Sequence, residues 1–201
     1  WRESIADVVT IREDRNGHVR LDHLAEELEN HRDRPMKIGS FSAASNVTGI
    51  ITDTAAVSSL LHQHGALACW DFAAAAPYIE MAMGSPAEGD AYYDAIFVSP
   101  HKLIGGPGTP GLLVARRELF TNRVPHVPGG GTVAYVNTDE HDYLPDIEHR
   151  EEGGTPAIIE SIRAGLVFQL KEAVGVEEIR RREERFVGRA IERWSANPTI
   201  E

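Results

Sequence analysis

Two short apolar runs constrain the fold of this chain most, because each ends at a chemically active side chain. Ala66-Leu67-Ala68-Cys69-Trp70-Asp71 reads as a buried strand closing on a carboxylate. Ala95-Ile96-Phe97-Val98-Ser99 reads as a second strand that leads into Pro100-His101-Lys102 and the glycine-rich turn Gly105-Gly106-Pro107-Gly108-Thr109-Pro110-Gly111. Placed side by side, the two strand ends present an acid, Asp71, and an amine, Lys102, to one crevice. The lysine stands out against the composition: with Lys37 and Lys171 it completes the lysines among 20 lysines and arginines. Arginine in its place cannot form a Schiff base at neutral pH, whereas a desolvated lysine can.

The rest of the chain alternates strand and helix patterns. Val8-Val9-Thr10-Ile11 reads as a strand, and a helix follows over 21–28, started by Asp22 and carrying Leu24 and Leu28 at i,i+4 spacing. Lys37 to Phe41 reads as the next strand. A helix from Asp53 to His64 has an acidic N-cap and stops at Gly65. Leu112-Leu113-Val114-Ala115 is a strand placed antiparallel to its predecessor, since the connection is too short for a crossover helix. The stretch holding Gly129-Gly130-Gly131-Thr132 and Tyr143-Leu144-Pro145 reads as loop. A helix then runs from near Pro156 to Val174, and after Gly175 a charged helix reaches Trp194. This order predicts an α/β fold, a three-layer mixed and mostly parallel sheet flanked by helices. A large-domain core is expected over 1–175, with the charged helix of 176–201 leading toward a further domain.

At 201 residues and 42% hydrophobic content the chain can bury a substantial core. Its net charge of -11 argues against a nucleic-acid surface. Arg180-Arg181-Arg182 is interleaved with Glu177, Glu178, Glu183 and Glu184 and reads as a solvated helix face. No apolar run approaches a membrane span, and the start shows no secretory pattern. A lone Cys69, read as an inert small hydrophobe, excludes an internal disulfide and fits the cytoplasm. His62 and His64, two residues apart, point to different sides of the helix's end and so do not join Cys69 as zinc ligands, and no metal is expected. Asn46-Val47-Thr48 matches the glycosylation pattern by chance.

Asp71 and Lys102 together suit pyridoxal phosphate, whose aldehyde needs a lysine and whose ring nitrogen needs an aspartate to stay protonated. Ordered motifs between residues 39 and 175 extend this reading. They are Ser45-Asn46-Val47-Thr48-Gly49, Trp70-Asp71-Phe72-Ala73-Ala74, Ser99-Pro100-His101-Lys102 with its glycine-rich turn, Pro128-Gly129-Gly130-Gly131, and Glu152-Gly153-Gly154-Thr155-Pro156. As a set they resemble the class V aminotransferase and cysteine desulfurase family of fold type I pyridoxal phosphate enzymes.

The resemblance implies a role for each matched residue. Lys102 is the Schiff-base lysine, and Asp71 faces the ring nitrogen. Ser99 and His101 hold the phosphate, and Asn46 lies near the ring's 3-oxygen and the substrate carboxylate. Thr155 reaches the phosphate of a neighbouring subunit, which implies a homodimer acting on an amino acid. The chain departs from the pattern at Ala74, where many desulfurases have Gln. The family's ring-stacking residue and phosphate loop, in an N-terminal portion, and its C-terminal small domain have no counterpart, so the chain reads as truncated at both ends. Two functions stay open: a pyridoxal phosphate-dependent transferase domain working through Lys102, or a truncated, catalytically inactive, cofactor-free domain or interaction module. Substrate and reaction type are left undetermined.

Overall fold

The computed structural model describes residues 3–200. The expected strand over 8–11 does not form. That segment has no regular structure, with Val8 and Val9 exposed, and the nearest pairing is a single bridge between Glu13 and Val19. β-branched residues favour a strand only where a neighbour offers hydrogen bonds and a surface to pack on. Helix α1 (Leu21–Asn30) buries Leu24 and Leu28, as their spacing requires. Its N-cap is Arg20 rather than Asp22, and Asp22 instead pairs with the Arg20 guanidinium in the first turn.

The sheet has the order β1 (Ile38–Ser42), β2 (Leu67–Asp71), β3 (Ala95–Val98), β4 (Leu112–Ala115). The first three strands are parallel, and β4 is antiparallel to β3 as the short connection dictates. Helix α2 (Thr54–Gln63) supplies the crossover between β1 and β2. Asp53 caps it by accepting the Ala56 N–H at 3.0 Å, and Gly65 leaves it at a φ of 65°.

Alternation along the strands sorts the side chains onto two faces. Ala68, Trp70, Ile96 and Val98 point one way, into a core shared with Val57 and Leu61 of α2 and Leu24 and Leu28 of α1. Trp70 is fully buried, and its indole N–H donates to the buried Ser58 hydroxyl at 2.9 Å, so neither polar group is left unsatisfied. Ile38, Phe97 and Leu113 point the other way and stay about half exposed.

The stretch expected as loop contains a two-stranded antiparallel sheet, β5 (Val133–Val136) with β6 (His141–Tyr143), and a short helix α3 (Ile147–Glu151). β6 is His-Asp-Tyr with no apolar run and β5 is mostly exposed, so no buried-strand pattern marks the pair in the sequence. Helices α4 (Ile158–Val174) and α5 (Val176–Ser195) follow and meet at Gly175, which has a φ of 81°. On α5, Arg180 pairs with Glu184, and Arg181 and Arg182 pair with Glu178, all at the surface, as a solvated face should. Among the described residues no helix is long and apolar enough to cross a membrane.

Candidate active site

The C-terminal ends of β1, β2 and β3 lie next to one another and are stitched together just past the strands. Ala43 N–H donates to the Asp71 carbonyl at 2.9 Å, and Phe72 N–H donates to the Phe97 carbonyl at 2.8 Å. Asp71 therefore ends β2 in register with Phe97 of β3. One of its carboxylate oxygens accepts the Ala73 N–H at 2.7 Å, which orients the side chain and leaves the second oxygen for another partner.

After β3 the chain makes one tight helical turn, Pro100–Lys102, closed by Lys102 N–H to the Ser99 carbonyl at 3.0 Å. Pro100 and Leu103 are buried beneath this turn, while His101 and Lys102 face solvent. Gly106 is required here for a steric reason. A Cβ at that position would sit 2.0 Å from the Pro100 carbonyl oxygen, so no other residue lets the chain fold back so closely under the lysine. Arg163 of α4 braces the same turn, donating to the Pro107 carbonyl at 3.0 Å.

Asn46 sits at the exposed tip of a loop leaving β1. The Ser45 N–H to Ile50 carbonyl bond (2.9 Å) and the Thr52 N–H to Ala43 carbonyl bond (2.9 Å) close this loop. Asn46, Asp71, Ser99, His101 and Lys102 thus share one edge of the sheet. Thr155 stands apart from them in sequence, exposed and three residues before α4 begins. Its segment is held by the Gly154 N–H to Gly130 carbonyl bond at 2.7 Å. At Gly153 a Cβ would come within 2.7 Å of the Val127 carbonyl. The triple-glycine motif and the Gly-Thr-Pro motif are therefore neighbours.

The three lysines are not equivalent. Lys171 is half-buried and donates to the Ile79 carbonyl at 2.6 Å, and loss of solvent lowers its pKa. Lys37 reaches the Arg32 carbonyl at 3.5 Å. Lys102 makes no side-chain hydrogen bond among the described residues, so its amine is available. Burial, helped by the negative charge of Asp94, pushes the Cys69 thiol up to about 11, which suits an inert side chain. No group of three or more metal-ligating side chains occurs among the described residues.

An open carboxylate oxygen, an available amine, a hydroxyl and an imidazole along one sheet edge, over a turn that admits close backbone approach, fit the parts of pyridoxal phosphate. Sequence reasoning missed a second polar centre, at the other end of β2 and β3. Its buried Asp94 meets His62 and Arg116, which lie 32 residues before it and 22 after, a separation that no local spacing reveals.

Together, a mixed α/β sheet and a lysine turn after a strand that neighbours an aspartate-terminated one define a large domain of the fold type I class. The model of the family described as aminotransferase class-V matches residues 2–201, and the chain belongs to that family. It is 27% identical over 165 residues to a probable cysteine desulfurase of Streptomyces coelicolor, covering 82% of this chain and 38% of that protein. A probable cysteine desulfurase of Staphylococcus aureus is 30% identical over the same shares. Among solved structures, the apo cysteine desulfurase of Thermococcus onnurineus superposes with a TM-score of 0.76 at 26% identity, over 90% of this chain and 43% of that one. The chain spans about two fifths of the length of the relatives it matches.

Proposed function

We propose that this chain is the cofactor-binding large-domain portion of a pyridoxal phosphate-dependent enzyme that acts on an amino acid, with Lys102 as its Schiff-base residue. The observation that carries this reading is the one lysine amine unengaged among the described residues, standing on the turn that follows β3, the strand next to the one Asp71 ends. Bound pyridoxal phosphate supplies an aldehyde that condenses with amines and a ring that draws electrons from the substrate's α carbon.

The protein's own groups do the rest. The free oxygen of Asp71 holds a proton at the ring nitrogen. Ser99 and His101 donate to the phosphate, in charge-assisted hydrogen bonds. Asn46 orients the substrate carboxylate, and Lys102 moves a proton at the α carbon as general base and acid. Thr155, exposed before α4, contributes across a homodimer. The cysteine desulfurase names of the relatives favour an amino-acid substrate. Residues 1–175 form the cofactor-binding unit, 176–201 lead to a second domain, and the single half-buried thiol fits the cytoplasm.

A second reading, an inactive and cofactor-free module, is favoured by the exposure of Asn46, Asp71, His101 and Lys102 and by the open second face of the sheet. One experiment separates the two: absorption of the purified chain with pyridoxal phosphate, then borohydride reduction and mass mapping, beside Lys102→Ala. A visible band that the variant lacks, with the adduct on Lys102, supports the enzyme reading. No band, or equal labelling of Lys37 and Lys171, overturns it for this chain.

A further inference from the structure

Residues 84–92 leave the body of the protein as a polar loop and return at Tyr93, whose N–H donates to the Met83 carbonyl at 2.8 Å. Arg116 ties the outgoing end, donating to the Gly84 carbonyl at 3.1 Å. His62 of α2 ties the returning end. Its Nδ1 lies 2.6 Å from the Asp90 carbonyl oxygen and its Nε2 lies 2.8 Å from the Asp94 carboxylate. The side chains of His62 and Asp94 are only 7% and 5% exposed, so their pairing is shielded from water, whereas Asp90 lies at the exposed end of the loop.

Both groups that face this ring are acceptors. A neutral imidazole has one N–H and one lone pair, and in this position the lone pair would press against an oxygen. Two donated bonds require both nitrogens to be protonated. The surroundings balance that charge. Asp94 also accepts the Ala68 N–H at 2.7 Å, and its other oxygen is 3.9 Å from Arg116 Nε. Tyr92 stacks on the imidazole at 3.8 Å and has the Arg116 guanidinium 4.4 Å from its ring centre. The carboxylates of Asp90 and Glu118 act on Tyr92, and the Cys69 thiol lies in the field of Asp94.

We propose that His62 is a proton-operated pin: as an imidazolium it fastens the loop 84–92 at Asp90, and on losing its Nδ1 proton it releases that end. The proton at Nε2 stays, because it points at a carboxylate in a charge-assisted bond, whereas Nδ1 faces only a neutral carbonyl. The Met83–Tyr93 and Arg116–Gly84 bonds persist, so the release is confined to the loop and the sheet is untouched. The pin is independent of the cofactor reading.

The test is hydrogen exchange followed by mass spectrometry at about pH 5.5 and about pH 8.5, either side of the ordinary histidine range, with times scaled for intrinsic rate. Relative to β3, peptides within 85–92 should exchange ~5-fold faster at the higher pH, about the effect of one net hydrogen bond. His62→Gln, which does not titrate, should abolish this response. Equal loop protection at both pH values, or an unchanged response in His62→Gln, overturns the proposal. Nitrogen NMR of the imidazole in the unsubstituted chain reads the same proton without a variant. Nδ1 should lose its hydrogen while Nε2 keeps its own, and the reverse order overturns the proposal.

Discussion

Gly39→Ala puts the packing of β1 on α2 to a quantitative test. A Cβ built at position 39 falls 2.4 Å from Leu61 Cδ1, 2.6 Å from Cδ2 and 3.1 Å from Cγ. Because both methyls are too close, turning the leucine about its last bond does not clear the clash. Leu61 is 1% exposed and lies within the core cluster, so any shift it makes must displace other core side chains. Gly39 is not among the positive-φ glycines, so backbone strain adds nothing and the cost is overpacking, about 1–3 kcal/mol. Against a total stability of about 5–15 kcal/mol, that is a large loss for one methyl group.

A double-mutant cycle isolates the contact. Leu61→Ala alone costs about 2–5 kcal/mol by opening a cavity. Alanine lacks the Cγ and both Cδ atoms, so Gly39→Ala in that background should cost no more than about 0.5 kcal/mol, leaving the pair strongly non-additive. Urea unfolding followed by the fluorescence of the buried Trp70 gives all four stabilities. The reasoning fails if Gly39→Ala is as stable as the parent, or if its cost is the same with and without Leu61.

Two further predictions concern charge. With its thiol at about 11 and half-buried, Cys69 should be on the order of one part in a thousand thiolate near pH 8. It should therefore resist iodoacetamide until denaturant is added, and rapid labelling of the native chain would contradict this. At the start of α3, Asp146 accepts the His149 backbone N–H at 3.1 Å and pairs with its ring at 2.6 Å. The His149 ring and N–H hold the Asp146 carboxyl below its usual range, and Asp146 holds the His149 ring above its own. The aspartate's contribution is present above the ordinary carboxylate range and lost as pH falls. The histidine's is complete below its ordinary range and lost as pH rises. Amide protection across 147–151 should accordingly peak between the two, and a monotonic pH response would rule the pairing out.

Much of the site was legible from the chain itself. Asp71 and Lys102 each follow a compact apolar run, and residues after a strand that buries alternate side chains must emerge at its end. The cap at Asp53, the stop at Gly65 and the antiparallel β4 were equally visible, because each depends on residues within a few positions of one another. The unpaired segment over 8–11 shows the limit of that reading: its β-branched run is strand-like, but a strand exists only if a neighbour accepts its hydrogen bonds. The hairpin of β5 and β6 was lost for the opposite reason, its strands being held by pairing with each other rather than by any pattern of their own.

What the sequence determined by itself was local. It set which segments bury a face, where they stop, and that one scarce lysine stands after a strand. Only the tertiary structure decided which strand ends are neighbours and which lysine amine stays unengaged. It alone brought together His62, Asp94 and Arg116. Burying a carboxylate requires partners from wherever the chain passes nearby, and that proximity is a property of the packed sheet and helices rather than of any run of residues.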